Sequence, residues 1–234
     1  MGADTRNMLL RKGLGDNPGL AFLFVALLLF FVLYPIFAES DAGLLLLDVA
    51  FSAILIIAAY AVSHQRKVLI VAVILALPTI GSWLGTRVVE DPELAFAGLG
   101  MSVAFFGFIL VVLLRNIIES EKVTVDLIYG AMSVYLLIGL AWASLYSIVE
   151  LAVPGAFDFG ELAASSESHM THGELRFFGY FSFVTLSTLG YGDITPVTPF
   201  ARSLSALEAI VGQLYIAVLI ARIVGMHIAQ KDTP

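Results

Sequence analysis

The sequence predicts an all-α membrane protein with six transmembrane helices and a short re-entrant segment between the fifth and the sixth. Apolar residues make up 59% of the 234-residue chain and charged residues only 13%, whereas a soluble domain is about half apolar and a quarter charged. A helix needs about 20 mostly apolar residues to cross a hydrocarbon core. Segments of that kind lie at 19–38, 43–63, 68–86, 95–115, 125–150 and 202–228.

The basic residues predict the orientation of these helices. With the N-terminus in the cytoplasm, nine Lys and Arg residues lie on the cytoplasmic side and three lie outside. The first set is Arg6, Arg11, Lys12, Arg66, Lys67, Arg115, Lys122, Arg222 and Lys231, and the second is Arg87, Arg176 and Arg202. Because cytoplasmic loops carry an excess of Lys and Arg, we expect a multi-pass plasma-membrane protein with both termini cytoplasmic.

The fifth and sixth helices are separated by a long segment that is not apolar enough to span. Thr124 is a plausible N-cap for the fifth helix, which is expected to end near Glu150. Residues 151–173 lose helical periodicity and are expected to form an exposed outer loop. His169 and His172 have a spacing that suits a metal ion on one helical turn, but without a third ligand we expect solvated imidazoles.

The next residues combine a short helical segment with a glycine-rich sequence. Residues 174–187 are too short to cross the membrane, and residues 188–193 read Thr-Leu-Gly-Tyr-Gly-Asp. Since glycine adopts positive φ without a steric penalty, a segment with glycine at alternate positions can turn successive carbonyl oxygens to one side. Four such segments around an axis would form rings of oxygen atoms that replace the water shell of a potassium ion.

Residues 185–193 resemble the selectivity filter of the tetrameric potassium-channel family, which usually contains Thr-Val-Gly-Tyr-Gly-Asp. Leu189 stands where Val is commoner. Because that position contributes its carbonyl oxygen, the exchange changes the packing behind the filter rather than the ion ligands. The alternative is that Gly-Tyr-Gly-Asp is only a tight turn between two helices.

The resemblance implies a bound cargo, an assembly and a function. Potassium ions would bind to the segment formed by Thr188, Leu189, Gly190, Tyr191 and Gly192, with Thr188 providing its hydroxyl as well as its carbonyl oxygen. Residues 174–187 would be the pore helix, with an aromatic cuff of Phe177, Phe178, Tyr180, Phe181 and Phe183. One chain supplies one filter strand, so we expect a homotetramer with fourfold symmetry, surrounded by membrane lipids.

Three residues, Asp193, Tyr180 and Glu208, are expected to support the filter. Family members often join the filter aspartate to a polar aromatic residue, which by spacing predicts a hydrogen bond between Tyr180 and Asp193. In the alternative, Asp193 faces water. Glu208 lies at membrane depth, where an ionisable group needs a partner or water. We expect Glu208 to accept a hydrogen bond near Ser187 or Thr188, and its charge state stays open.

One glycine of the sixth helix has two possible roles. Gly212 lies nineteen residues after Asp193, and this spacing matches the inner-helix hinge glycine of the family. A glycine there permits a bend that opens the cytoplasmic mouth. Glycine is equally common where membrane helices pack closely, and both interpretations stay open.

The first four helices follow the layout of voltage-gated channels but lack their charges. Residues 95–114 contain no Lys or Arg, and only Arg115 stands at the cytoplasmic end. Moving one elementary charge through 100 mV yields about 2.3 kcal/mol, so steep voltage dependence needs several charges. We therefore expect a packing and lipid-facing scaffold of four helices, with a kink at Pro78 and an acid at membrane depth at Asp48. The alternative is that these helices bind a ligand.

These observations predict passive, potassium-selective conduction that is not strongly voltage-gated. The expected organisation is a cytoplasmic segment at 1–18, a sensor-like domain at 19–115, a linker at 116–124 and a pore domain at 125–230. No enzymatic activity, nucleic-acid partner or attached ligand-binding domain is expected. Two alternatives remain: a non-selective cation channel, if Leu189 loosens the filter, and a secondary transporter or membrane enzyme. The latter class usually has ionisable groups on several helices, whereas only Asp48 and Glu208 lie at membrane depth here.

Overall fold

The computed structural model describes residues 18–37, 40–61, 66–85, 89, 91–160 and 170–231. Seven helices and two short strands occur in these ranges. They are α1 (Pro18–Phe37), α2 (Asp41–Ala61), α3 (Arg66–Gly85), α4 (Pro92–Glu119), α5 (Val125–Ala152), β1 (Phe157–Asp158), α6 (Met170–Leu186), β2 (Thr195–Pro196) and α7 (Pro199–Lys231).

A helix lies over each of the six segments that the sequence predicts as spanning. Within the described ranges, three helices are long and apolar enough to cross a membrane, namely α4, α5 and Pro199–Gln230 of α7. The predominantly helical, membrane-type fold is thereby confirmed, and the count of six spans stays a prediction. Helix α6, which the sequence analysis predicts as a re-entrant pore helix, begins at Met170 rather than at residue 174.

Three of these helices begin at side chains that cap their first turn. Thr124 Oγ1 accepts a hydrogen bond from the amide of Leu127 at 3.2 Å, so the predicted N-cap of α5 is present. At the start of α4, Asp91 Oδ1 accepts from the amide of Glu93, and at the start of α7, Thr198 Oγ1 accepts from the amide of Ala201. In both of these cases a proline follows the cap, which suits the first helical position because proline lacks an N–H and has a fixed φ.

The chain divides into two compact units. The first consists of Met1–Ala76, Phe108–Leu136 and Ala221–Pro234, and the second of Leu77–Gly107 and Leu137–Ile220.

Within the first unit, Arg222 binds the C-terminal end of α4. Its guanidinium donates to the carbonyl oxygens of Ile117 at 3.1 Å and Ser120 at 2.9 Å, and also to that of Ile118. The last carbonyl groups of a helix have no partner within the helix, and they carry the negative end of its dipole. The Arg222 side chain therefore satisfies both the hydrogen bonds and the charge at this helix end.

The second unit has an aromatic core between α5 and α6. The rings of Tyr146, Phe157, Phe178 and Phe181 pack with centroid distances of 4.9 to 6.1 Å, a separation at which tilted and edge-on pairs are favourable. Phe157 lies on β1, so the chain after α5 is anchored in this core.

The two strands join the chain after α5 to the chain after residue 193. They are antiparallel, and Phe157 pairs with Pro196 while Asp158 pairs with Thr195. The expectation of an exposed loop over 151–173 is therefore wrong at residues 156 and 157, since both side chains are buried. Their apolar side chains belong to the same buried cluster as Tyr146 and Phe178.

Candidate functional site

The candidate site is the segment that follows α6, residues 187–193. The helix ends in a tight turn, in which the carbonyl oxygen of Val184 accepts from the amides of Leu189 at 2.9 Å and Gly190 at 3.3 Å. The amide of Thr188 donates to the carbonyl oxygen of Thr185 at 2.9 Å. These bonds satisfy carbonyl groups of the last helical turn, so the segment starts from a fixed point.

Positive φ occurs at every second residue of this segment. The φ angles are 58° at Thr188, 60° at Gly190 and 80° at Gly192. The positive φ of both glycines is the conformation that the sequence analysis anticipated. Thr188 is a finding that the sequence did not indicate, because a β-branched residue in the left-handed region is a conformational outlier. Such a conformation costs about 1–3 kcal/mol and is concentrated at functional sites and at helix ends.

The side chains of this segment are largely uncovered in the single chain. Leu189 is 56% exposed and Tyr191 is 66% exposed. Covering these two side chains with lipid or another protein surface would remove apolar area from water, which is favourable.

The hydrogen bond predicted between Tyr180 and Asp193 is present. Tyr180 Oη donates to Asp193 Oδ2 at 2.5 Å, and Asp193 Oδ1 accepts from the amide of Ile194 at 3.0 Å. The hydrogen bond to the Asp193 carboxylate raises the pKa of Tyr180 to about 12, so the phenol keeps its proton at neutral pH. Asp193 is thus fixed relative to α6. That this bond supports a filter stays a prediction.

Glu208 faces α6, but its partners differ from those expected. Its Oε2 accepts from Tyr146 Oη at 2.5 Å, and its Oε1 lies 2.5 Å from Ser182 Oγ. The expectation of a bond near Ser187 or Thr188 is wrong by about one turn of α6. The register explains this, because Gly212 lies against Leu186, so Glu208, one turn earlier on α7, meets Ser182, one turn earlier on α6.

Gly212 is required for the close approach of α7 to the end of α6. A Cβ atom at this position would overlap the carbonyl oxygen of Leu186, a backbone atom that cannot rotate away. This contact supports the packing role of Gly212, and its role as a hinge stays a prediction. The next residue, Gln213, donates from Nε2 to Thr188 Oγ1 at 3.4 Å, so α7 also contacts the first residue of the glycine-rich segment.

The aromatic residues of α6 do not all have the same environment. Phe178 and Phe181 are buried in the core of the second unit, whereas Tyr180 is exposed apart from its bond to Asp193. Phe183 lies against α5 at Gly139, where a Cβ would overlap its ring. Only part of the predicted cuff is therefore packed within one chain.

Sequence reasoning missed the roles of two residues on α5. Glu150 accepts hydrogen bonds from the amides of Gly155 at 2.7 Å and Phe157 at 3.0 Å, and so fixes the turn after α5. An acidic residue four positions before the Pro154-Gly155 turn was the available signal. Tyr146 is the second, and nothing in its local sequence indicates that it binds Glu208, which lies 62 residues further along the chain.

Other candidates give no additional site. Within the described ranges, no group of three or more His, Cys, Asp and Glu residues could hold a metal ion. His169, the His172 side chain and the Asp48 side chain, which the sequence analysis considered, lie outside the described residues.

Comparison with known proteins identifies the same part of the chain. Residues 167–228 match the family model described as "Ion channel". A curated relative, Protein LctB from Bacillus caldotenax, is 29% identical over 133 residues, which cover 53% of this chain and 96% of the relative. No solved structure gives a significant match. The resemblance of the glycine-rich segment and its flanking helices to the channel family is confirmed by the family match.

Proposed function

We propose that this chain, which carries an ion-channel domain at residues 167–228, is one subunit of a homotetrameric channel for passive, selective potassium conduction across the plasma membrane. The observation that carries the proposal is the alternation of positive φ at Thr188, Gly190 and Gly192, directly after α6. Together with the family match, it favours a selectivity filter over an ordinary turn.

The proposed mechanism uses only neutral oxygen atoms. An ion that enters the filter exchanges its water shell for the carbonyl oxygens of residues 188–191 from four chains, and for the Thr188 hydroxyl at the inner end. The C-terminal end of α6 precedes this segment, and the negative end of a helix dipole favours a cation. Tyr180 and Glu208 hold α6 and its C-terminal segment in place, so that the diameter of the filter is kept. No catalytic step is needed.

Uncovered apolar surface supports an assembly of several chains. Only 6% of the most apolar stretch of α7 is buried within the chain. Its exposed large side chains are Phe200, Leu207, Ile210, Leu214, Ile216, Val218, Ile220, Val224 and Ile228. Lipid and the neighbouring copies of α7 would cover this surface, while Leu189 and Tyr191 would be covered by the adjacent subunits of the tetramer.

Weak voltage dependence follows from the charges of α4. Arg115 is the one basic residue between 92 and 119, and its Nε donates to Glu119 Oε1 at 2.7 Å. The net charge of this pair is zero, so its displacement across the membrane potential transfers little energy. Membrane potential therefore does not strongly bias the proposed channel.

Reversal potentials test the proposal. We expect purified protein in planar bilayers to show single-channel currents that reverse near the potassium equilibrium potential in a potassium–sodium gradient. Reversal near zero would identify a non-selective cation channel instead, and saturable flux coupled to protons would identify a transporter.

A matched pair of glycine variants connects the current to the filter. Gly190→Ala places a side chain at φ 60° and should abolish potassium current, since only glycine tolerates this region readily. Gly179→Ala, in the middle of α6, meets no atom within 4 Å and should conduct like the wild type. Equal currents from both variants would argue against the role of the alternating backbone.

A further inference from the structure

Three hydrogen-bond contacts follow one another from Tyr146 through Glu208 and Ser182 to Gly139, all within the second unit. Tyr146 Oη lies 2.5 Å from Glu208 Oε2, Glu208 Oε1 lies 2.5 Å from Ser182 Oγ, and Ser182 Oγ lies 2.8 Å from the carbonyl oxygen of Gly139. The contacts connect α7 to α5 through Tyr146, and α7 to α6 through Ser182. The second contact of Ser182 then returns to α5.

The three contacts limit where the protons of these side chains can lie. A hydroxyl group has one proton to donate, and a carbonyl oxygen only accepts. Ser182 therefore cannot donate to Glu208 and to Gly139 at once. Three contacts between oxygen atoms need three protons, of which Tyr146 and Ser182 provide two. If each of the three contacts is a full hydrogen bond, the third proton lies on the Glu208 carboxyl group, which donates to Ser182 while Ser182 donates to Gly139.

The surroundings of Glu208 also favour a protonated carboxyl group. Glu208 and Ser182 are both 0% exposed. Among the described residues, the polar groups that face the cluster are Tyr146 from α5, Ser182 from α6 and Ser205, which lies one turn earlier on α7. Ser205 donates its proton to the carbonyl oxygen of Ala201 at 2.9 Å. None of these groups is a cation. A buried carboxylate without a cationic partner is costly, so such a group takes up a proton.

We infer that Glu208 is held protonated and acts as a pH-sensitive positioning residue, whose proton completes a directed hydrogen-bond chain from Tyr146 through Ser182 to Gly139. The role in conduction rests on the proposed channel function. Loss of the proton leaves three contacts with two donors and places a charge in an apolar core. Ser182 then turns toward the carboxylate and releases Gly139, so α6 and the segment after it lose one anchor to α5. Conduction is therefore lost reversibly as the pH rises through the ionisation of Glu208.

Infrared difference spectroscopy tests the protonation without reference to conduction. In full-length protein reconstituted in lipid at neutral pH, we expect a carbonyl band of a protonated carboxylic acid that shifts with ¹³C-labelled glutamate. This band should be absent from Glu208→Gln, present in the control Glu150→Gln, and moved to higher frequency in Ser182→Ala, because the acid loses its acceptor. If the substitution Glu208→Gln instead removes bands of an ionised carboxylate, Glu208 is charged in the wild type and the inference is overturned.

The pH profile of potassium current tests the consequence. Glutamine at this position preserves the series of hydrogen bonds, since its amide donates to Ser182 and accepts from Tyr146, but it cannot ionise. We expect wild-type current to fall reversibly with rising pH, and Glu208→Gln to conduct like the wild type at neutral pH and to lose this fall. Equal alkaline loss in both proteins would overturn the regulatory role. A protein that never conducts would refute the proposed function, while the infrared result would still decide the protonation of Glu208.

Discussion

The contact between Gly212 and the end of α6 allows a stability prediction with an internal control on the same helix. Gly212→Ala introduces a methyl group that overlaps the carbonyl oxygen of Leu186. Gly225 also lies within α7, but a Cβ there meets no atom within 4 Å. Both substitutions therefore have the same helix-propensity gain, and only one introduces an overlap.

The magnitude follows from two opposing effects. Replacing glycine by alanine within a helix stabilises it by about 0.5–1 kcal/mol. Overpacking at a close contact costs about 1–3 kcal/mol. The new methyl group would lie between the α7 backbone and the backbone carbonyl of Leu186, and neither can move as easily as a side chain. Since the propensity gain cancels between the variants, we expect Gly212→Ala to be less stable than Gly225→Ala by the overpacking cost alone, about 1–3 kcal/mol.

Equilibrium unfolding of the purified protein in detergent measures this difference. Both variants are compared with the wild type under one set of conditions, and Gly225→Ala should be at least as stable as the wild type. Equal free energies of unfolding for the two variants would refute the close approach of α7 to Leu186, and with it the register that brings Glu208 to Ser182.

Two further predictions concern other contacts of the candidate site and the first unit. Tyr180→Phe removes the hydrogen bond to Asp193 and should speed the loss of current during sustained activity, measured in macroscopic recordings; unchanged kinetics would count against the bond as a filter support. Arg222→Met removes the donors to the last carbonyl groups of α4 and should lower the free energy of unfolding by about 1.5–3 kcal/mol, as expected for charge-assisted hydrogen bonds. The same change at Lys122, an exposed residue of the linker, should have no measurable effect, and equal stability of the two variants would contradict the assigned role of Arg222.

Local features of the site could be predicted from sequence. The positive φ of Gly190 and Gly192 follows from the conformational freedom of glycine, and Thr124 caps α5 because its hydroxyl precedes an apolar run. The Tyr180–Asp193 bond depends on a spacing of thirteen residues, which the resemblance to the channel family supplies. In each case the signal lies in a short stretch of chain.

Contacts that depend on helix packing could not be predicted in the same way. The partners of Glu208 lie 26 and 62 residues away, and they are selected by the depth at which Gly212 lets α7 approach α6. A difference of one helical turn changes the partner from Ser187 to Ser182, and hydropathy does not encode this offset. The pairing of β1 with β2 was missed because two-residue strands have no periodicity to detect.

The most direct test of the central claim is an experimental structure of the assembled protein in potassium solution. We predict four copies around one axis, with potassium ions on that axis coordinated by the carbonyl oxygens of Thr188, Leu189, Gly190 and Tyr191. A structure in which Gly190 and Gly192 lie away from every symmetry axis, with no ion at these oxygens, would contradict the account.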